Sequence, residues 1–260
     1  MQLKGYHLRP VSPFYETLET AISLNNSCLQ SFVSSKNGII DINNIEIKKT
    51  NKLTQAIDLY IHGSFWICPT LNNKKSIETF TNEYNLSLSL GAKLFIIHLG
   101  SARKFKDTTK GIENCARFLN NLTKNVLKED CQLLIENTAH NNYNVGSNLE
   151  DFKQLYYLLD QPEKIGFCFD TAHAYAYGYN LADHNNLLIN ILNKNIYFKI
   201  KLIHLNDTKD DFGSYLDKHV MIGNGRIGIQ NLINIAKLFH DTPLIIEAPQ
   251  DEIKNINSLF

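Results

Sequence analysis

Along this chain, short apolar runs alternate with longer segments whose apolar residues recur at helical spacing. The runs are QLKGYHL (2–8), CLQSFV (28–33), LYIHG (59–63), KLFIIHLG (93–100), QLLIENT (132–138), IGFCFDT (165–171), IKLIHLND (200–207) and PLIIEAP (243–249). Helical periodicity marks PFYETLETAISLN (13–25), IETFTNEYNLSLSLG (77–91), TKGIENCARFLNNLTKNVLK (109–128), LEDFKQLYYLLD (149–160), LADHNNLLINILNK (181–194) and IQNLINIAKLFH (229–240). Strands alternating with helices indicate parallel βαβ units. Eight such units predict a single (β/α)8 TIM-barrel domain over residues 1–260, an α/β fold. An open doubly wound sheet is the alternative, but its glycine fingerprint is missing after the first run. Eleven residues follow Pro249, so a short C-terminal helix is expected.

In a barrel of this kind, reactive side chains stand at the C-terminal strand ends. There the third run places His62, the fourth His98 and the fifth Glu136. The sixth ends at Asp170, with His173 just beyond in FDTAHAYAYGY, the seventh at His204 and the eighth at Glu247. The loop after the seventh adds Asp217 and His219 in YLDKH. Side chains alternate along a strand, so the residue two positions back shares the inward face. Those residues are Ile96, Leu134, Cys168, Leu202 and Ile245, all apolar or soft. The pattern predicts an apolar plug capped by imidazoles and carboxylates. Four crowded carboxylates would raise one another's pKa unless cations intervened. Histidine with Asp and Glu favours zinc, with manganese or iron as alternatives. Nine ligands exceed one tetrahedral site and call for two or three ions. His7, His140, His184 and His240 are read as structural, and Cys168 as packing.

Composition narrows the classes further. The chain is 43% hydrophobic and carries 26 basic and 26 acidic residues, so overall basicity gives no sign of a nucleic-acid binder. No run approaches the roughly 18 apolar residues of a membrane span. Five cysteines without CxxC spacing read as thiols of an intracellular, reducing compartment. Positive charge does gather in two loops, with Arg103, Lys104, Lys106 and Lys110 after the fourth run and Lys209, Lys218 and Arg226 after the seventh. On one rim these could track phosphates. Gly223 and Gly225 in IGNGRIG suit either close backbone approach to a ligand or a tight turn.

FDTAHAYAYGY (169–179), IHLNDTKDDFGSYLDKHVMIGNGRIG (203–228), IENT (135–138) and LIIEAP (244–249) resemble the endonuclease IV family of apurinic/apyrimidinic endonucleases, in order and spacing over nearly the whole chain. The resemblance implies a DNA-repair hydrolase that cuts duplex DNA 5′ to an abasic site, leaving a 3′-hydroxyl and a 5′-deoxyribose phosphate, through three zinc ions in a monomer. It implies one zinc on His62, His98 and Glu136. Glu136 would bridge to a second on Asp170, His204 and Glu247, and the third would sit on His173, Asp217 and His219. It also places two DNA-wedging residues at Phe65 and Trp66. The loop after the second run has Lys36 where the family carries an arginine. Two rival readings are a metal-dependent sugar isomerase or epimerase of the xylose-isomerase-like barrels, and a catalytically silent DNA-binding relative.

Overall fold

The computed structural model describes residues 2–183, 187 and 199–253. Eight parallel strands close into a barrel: β1 (Lys4–His7), β2 (Cys28–Ser31), β3 (Asp58–His62), β4 (Leu94–His98), β5 (Gln132–Glu136), β6 (Ile165–Asp170), β7 (Ile200–His204) and β8 (Leu244–Ile246). Each pairs with its neighbours in sequence, and β8 closes on β1 through Lys4↔Leu244, Gly5↔Ile245 and Tyr6↔Ile246. Helices α1 (Tyr15–Ser23), α2 (Asn44–Leu53), α3 (Lys74–Ser89), α4 (Thr108–Asn125), α5 (Leu149–Tyr157), α6 (Thr171–Tyr177) and α7 (Ile229–Leu238) connect them. This is the TIM-barrel fold that the run pattern predicts. The expected C-terminal helix, most of the 181–194 segment and His184 lie outside the described residues.

Strand alternation sorts the buried side chains into two bodies. Outward-facing strand residues such as Leu29, Ile61, Phe95, Ile135 and Phe169 pack with the helices into a continuous sheath. Inward-facing Cys28, Tyr60, Ile96, Leu134, Cys168, Leu202 and Ile245 form a separate plug inside the barrel. β1 adds no side chain to it: a Cβ on Gly5 would stand 1.7 Å from the Cys28 carbonyl oxygen, so only glycine permits the β1–β2 approach. Cys168 packs within this plug, where burial raises its thiol to about 12, and its Sγ also lies within 4.8 Å of ligand atoms of Glu136 and His204.

The chain signals α2 poorly. Its sequence NIEIKKTNKL buries only Thr50, and Ile45 is 69% exposed, so no apolar stripe announces it. Its start is set instead by Asn43, whose side chain accepts from the Ile45 and Glu46 backbone N–H groups. Before it, the β2 loop folds into a small antiparallel ribbon, Ser34–Ser35 against Gly38–Ile39.

Candidate metal centre

All nine predicted ligand positions converge on the C-terminal mouth. Strand ends supply His62, His98, Glu136, Asp170 and His204, with Glu247 one residue past β8. His173 comes from the first turn of α6, and Asp170 makes that turn possible. Its Oδ1 accepts from the His173 backbone N–H at 2.7 Å, so one carboxylate caps the helix while its other oxygen, Oδ2, faces the mouth. Asp217 and His219 arrive on the loop after β7, folded back by an antiparallel ribbon that pairs Asp207–Thr208 with His219–Val220.

That loop turns around Asp207, a fully buried carboxylate. Its Oδ2 accepts from the backbone N–H of Gly223 and Gly225 at 3.0 and 3.1 Å, and its Oδ1 from Ile227 at 3.1 Å. A Cβ on Gly225 would lie 2.2 Å from Asp207 Oδ1, and Gly223 has φ of 89°. Both glycines therefore serve a tight turn around this anion.

Glu136 is the pivot. Its Oε2 lies 3.0 Å from His62 Nε2 and 3.5 Å from His98 Nε2. Its Oε1 lies 2.9 Å from His204 Nδ1. The two oxygens thus look toward two different groups of donors. Glu136, Asp170, His204 and Glu247 bring one ligand atom each to within 4.8 Å of one another, as do His62, His98 and Glu136, and as do Asp170, His173 and His219. Asp217 Oδ1 joins the last group, 3.2 Å from His173 Nε2 and 3.1 Å from His219 Nε2.

Partners outside the mouth fix which ring nitrogen faces in. His62 Nδ1 lies 2.8 Å from the Gly63 carbonyl and His173 Nδ1 2.8 Å from the Asn137 carbonyl. A carbonyl only accepts, so both Nδ1 atoms carry hydrogen and Nε2 is left to bind. His173 Nε2 and His219 Nε2 are buried beside Asp217 Oδ1 without hydrogen-bond geometry, a state that a cation between the three would relieve.

Burial opposes charge throughout the mouth, yet most groups hold theirs. Burial pushes Glu136 up, but His204 and His98, with hydrogen bonds from His173 and His204, hold it well below the usual carboxylate range. Against burial, Asp170, Asp217 and Glu136 lift His173 well above the ordinary histidine value. Burial dominates at Asp170, which is raised, and at His98, which is pulled down to about 4 and so stays neutral at pH 7. Protons on imidazoles here supply the positive charge that divalent cations would supply when bound, and cation uptake would release them.

Three further residues join the centre: two amides, which carry no ligand signal in the sequence, and the histidine that ends β1. Gln30 donates to Glu247 and stands 2.8 Å from a nitrogen of both His7 and His204. Asn206 Nδ2 donates to Asp170 Oδ2 at 2.6 Å and to Glu247 Oε2 at 3.1 Å. His7, read as structural, is buried, with Nδ1 3.3 Å from Glu247 Oε1. Gln30 and His7 lie two residues beyond inward-facing Cys28 and Gly5, so strand alternation alone could have placed them.

A cavity of about 310 Å³ opens over the centre, its wall including Arg9, Phe32 and Phe65 together with His62, His98 and His219. Phe65 is 79% exposed and stacks on His98 with centroids 6.0 Å apart; Trp66 is 62% exposed. Arg103, Lys104 and Lys106 are exposed on the loop after β4 and Lys209 and Lys218 on the loop after β7, whereas Lys110, expected on the first of these loops, lies in the first turn of α4. Arg226 is committed locally: its Nε donates to the Lys209 carbonyl and lies 3.2 Å from Asp211 Oδ1. His240 pairs with Asp241 on the surface, and His140 is exposed with Nδ1 3.3 Å from the Tyr215 carbonyl. Among the described residues, no helix is long and apolar enough to cross a membrane.

A barrel with imidazoles and carboxylates at its strand ends defines a class, and comparison agrees: the family described as "Xylose isomerase-like TIM barrel" matches residues 41–258. The probable endonuclease 4 of Halothermothrix orenii is 32% identical over 260 residues, 95% of this chain and 93% of that protein. Apurinic-apyrimidinic endonuclease 1 of Plasmodium berghei is 31% identical over 211 residues, 76% of this chain and 40% of that one. The crystal structure of endonuclease IV from Thermus thermophilus shares the fold with a TM-score of 0.82 at 24% identity, covering 99% of this chain and 96% of that one. The chain belongs to the endonuclease IV family.

Proposed function

We propose that this protein is a DNA-repair endonuclease that hydrolyses the phosphodiester 5′ to an abasic site in duplex DNA, with a three-ion zinc centre as cofactor. The observation that carries the reading is the third donor group. His173, Asp217 and His219 meet at 3.1 to 3.2 Å, beside two groups that share Glu136. A sugar isomerase or epimerase needs one or two ions and leaves the third group without a task. A silent DNA-binding relative has no use for any of them.

In this reading His62, His98 and Glu136 hold the first ion, and Glu136, Asp170, His204 and Glu247 the second. His173, Asp217 and His219 hold the third. Bound divalent ions supply an activated water and neutralise charge on the phosphate. The protein's own part is to set the donors on rigid strand ends and, through Glu136, to couple two groups so that neither shifts alone. Exposed Phe65 and Trp66 suit a wedge that fills the space left by a missing base, and Phe65 already stands against His98 over the centre. Arg103, Lys104, Lys209 and Lys218 would track flanking phosphates, with Arg226 shaping the loop through Asp211.

The test is a duplex oligonucleotide with one abasic analogue, incubated with the purified protein with and without EDTA. The reading expects one cut, 5′ to the lesion, leaving a 3′-hydroxyl and a 5′-deoxyribose phosphate, lost with the chelator and restored by zinc. An intact duplex, or cleavage indifferent to EDTA, would overturn it.

A further inference from the structure

We infer that Gln30 is a positioning residue of the metal centre, whose one amide selects the ring nitrogen of His204 and the carboxylate oxygen of Glu247 that face the ions. The inference rests on the proposal that these groups bind metal.

Gln30 sits at the inner end of β2, fully buried, on the side of the mouth where no ligand comes from the strand itself. Its Nε2 lies 2.7 Å from Glu247 Oε1 and its Oε1 lies 2.8 Å from His204 Nε2. The orientation of the amide follows from chemistry. A carboxylate oxygen only accepts, so the NH2 faces Glu247 and the carbonyl faces His204. That carbonyl also only accepts, so His204 must carry hydrogen on Nε2.

The nitrogen left for a cation is then Nδ1, which lies 2.9 Å from Glu136 Oε1 and 3.6 Å from Glu247 Oε2. The amide's donation to Glu247 Oε1 turns the other oxygen, Oε2, toward the same place, where Asn206 holds it from the far side at 3.1 Å. The remaining amide hydrogen goes to His7 Nδ1 at 2.8 Å. Because an amide nitrogen only donates, His7 Nδ1 is thereby an acceptor.

Few side chains could replace Gln30. Lysine cannot accept from His204, methionine fills the volume but bonds to neither partner, and an ionised glutamate would repel Glu247. Gln30 also adds no charge, so it orders two donors while leaving the electrostatic balance of the mouth to the ligands. Outer partners of metal-bound histidine and carboxylate groups affect affinity by about 10–100-fold when removed.

The experiment compares wild type with Gln30→Met, stripped of metal and titrated with zinc and then cobalt against a chromophoric chelator. Thermal unfolding of both metal-free proteins is measured in parallel. The expected result is about 10–100-fold weaker binding of one ion in Gln30→Met. A changed cobalt absorption band and a metal-free melting temperature close to wild type should accompany it. Equal affinity and an unchanged band would overturn the inference, as would metal loss that merely follows unfolding of the metal-free variant. Nitrogen-15 spectra of histidine-labelled wild type give a readout that needs no variant: His204 should carry hydrogen on Nε2 and metal on Nδ1, and the reverse would overturn the assignment. If wild type itself binds no metal, the proposed function fails before Gln30 is tested.

Discussion

Two layers of inward-facing side chains lie one on the other inside this barrel, two residues apart on each strand, and they could hardly differ more. The lower layer is Tyr60, Ile96, Leu134, Cys168 and Leu202, with Cys28 and Ile245, and it is closed to water. The upper layer is His62, His98, Glu136, Asp170 and His204, the same strands one inward step later. Strand alternation puts both on one face without saying what they should be. The plug needs only volume and apolarity. The crown needs each polar atom matched, because no water reaches it from below and the low dielectric makes an unmatched charge costly. The plug thus works as a dry floor that makes the crown's electrostatics strong, and its loss should act on stability first and chemistry second.

The largest effect should come from Glu136→Gln, which removes a charge facing two donor groups. Incision of an abasic duplex should fall by at least about 10³-fold, near 4 kcal/mol of barrier, with metal content falling too. Single-turnover kinetics with plasma emission analysis would check both. One step down, Leu134→Ala should cost about 2–5 kcal/mol of stability by opening a cavity in the plug. Urea unfolding reads the loss, and incision by the folded fraction should stay within a few-fold of wild type. If Leu134→Ala instead abolished incision while stability held, the division between floor and crown would be wrong.

Asn206→Ala should weaken metal binding by about 10–100-fold, because Asp170 and Glu247 lose a shared donor. Chelator competition measures it. Phe65→Ala should leave melting unchanged, since the ring is mostly exposed, and should raise KM for abasic duplex by up to about tenfold through lost stacking in the gap.

The smallest effect concerns pH and lies away from the mouth. Burial raises the Asp151 carboxyl to about 6, although the Gly146 N–H donates to it at 2.9 Å. A carboxyl that titrates higher folded than unfolded binds its proton more tightly in the native state. Its burial cost is therefore present in full above about pH 6 and fades as pH falls toward 4. Asp151→Asn should accordingly gain on the order of 1 kcal/mol relative to wild type at pH 7.5 and lose that advantage near pH 4.5. Urea unfolding of both proteins at the two pH values would show it.

The barrel and the nine mouth residues were legible because each rests on a periodic or chemical signal: apolar runs at regular intervals, and metal-type residues at their ends. α2 was not, since its polar surface gives no stripe and its Asn43 cap is a single residue. Gln30 and Asn206 escaped for another reason. An amide is chemically neutral and common in solvent: strand alternation puts Gln30 on the inward face, but only three-dimensional proximity shows that it and Asn206 bond to the ligands. Asp207 carries no signal of its own in the sequence, since its role as the hub of the Gly223–Ile227 turn depends on backbone N–H groups that carry no letter. The basic loops were legible as charge, but the local pairing of Arg226 with Asp211 was not.

The most direct test of the account is the metal content of the purified wild-type chain after reconstitution with zinc and removal of the excess, measured against protein concentration. About three ions per chain is the expected result. One ion or none would mean that the nine side chains gathered at this mouth do not form the centre assigned to them.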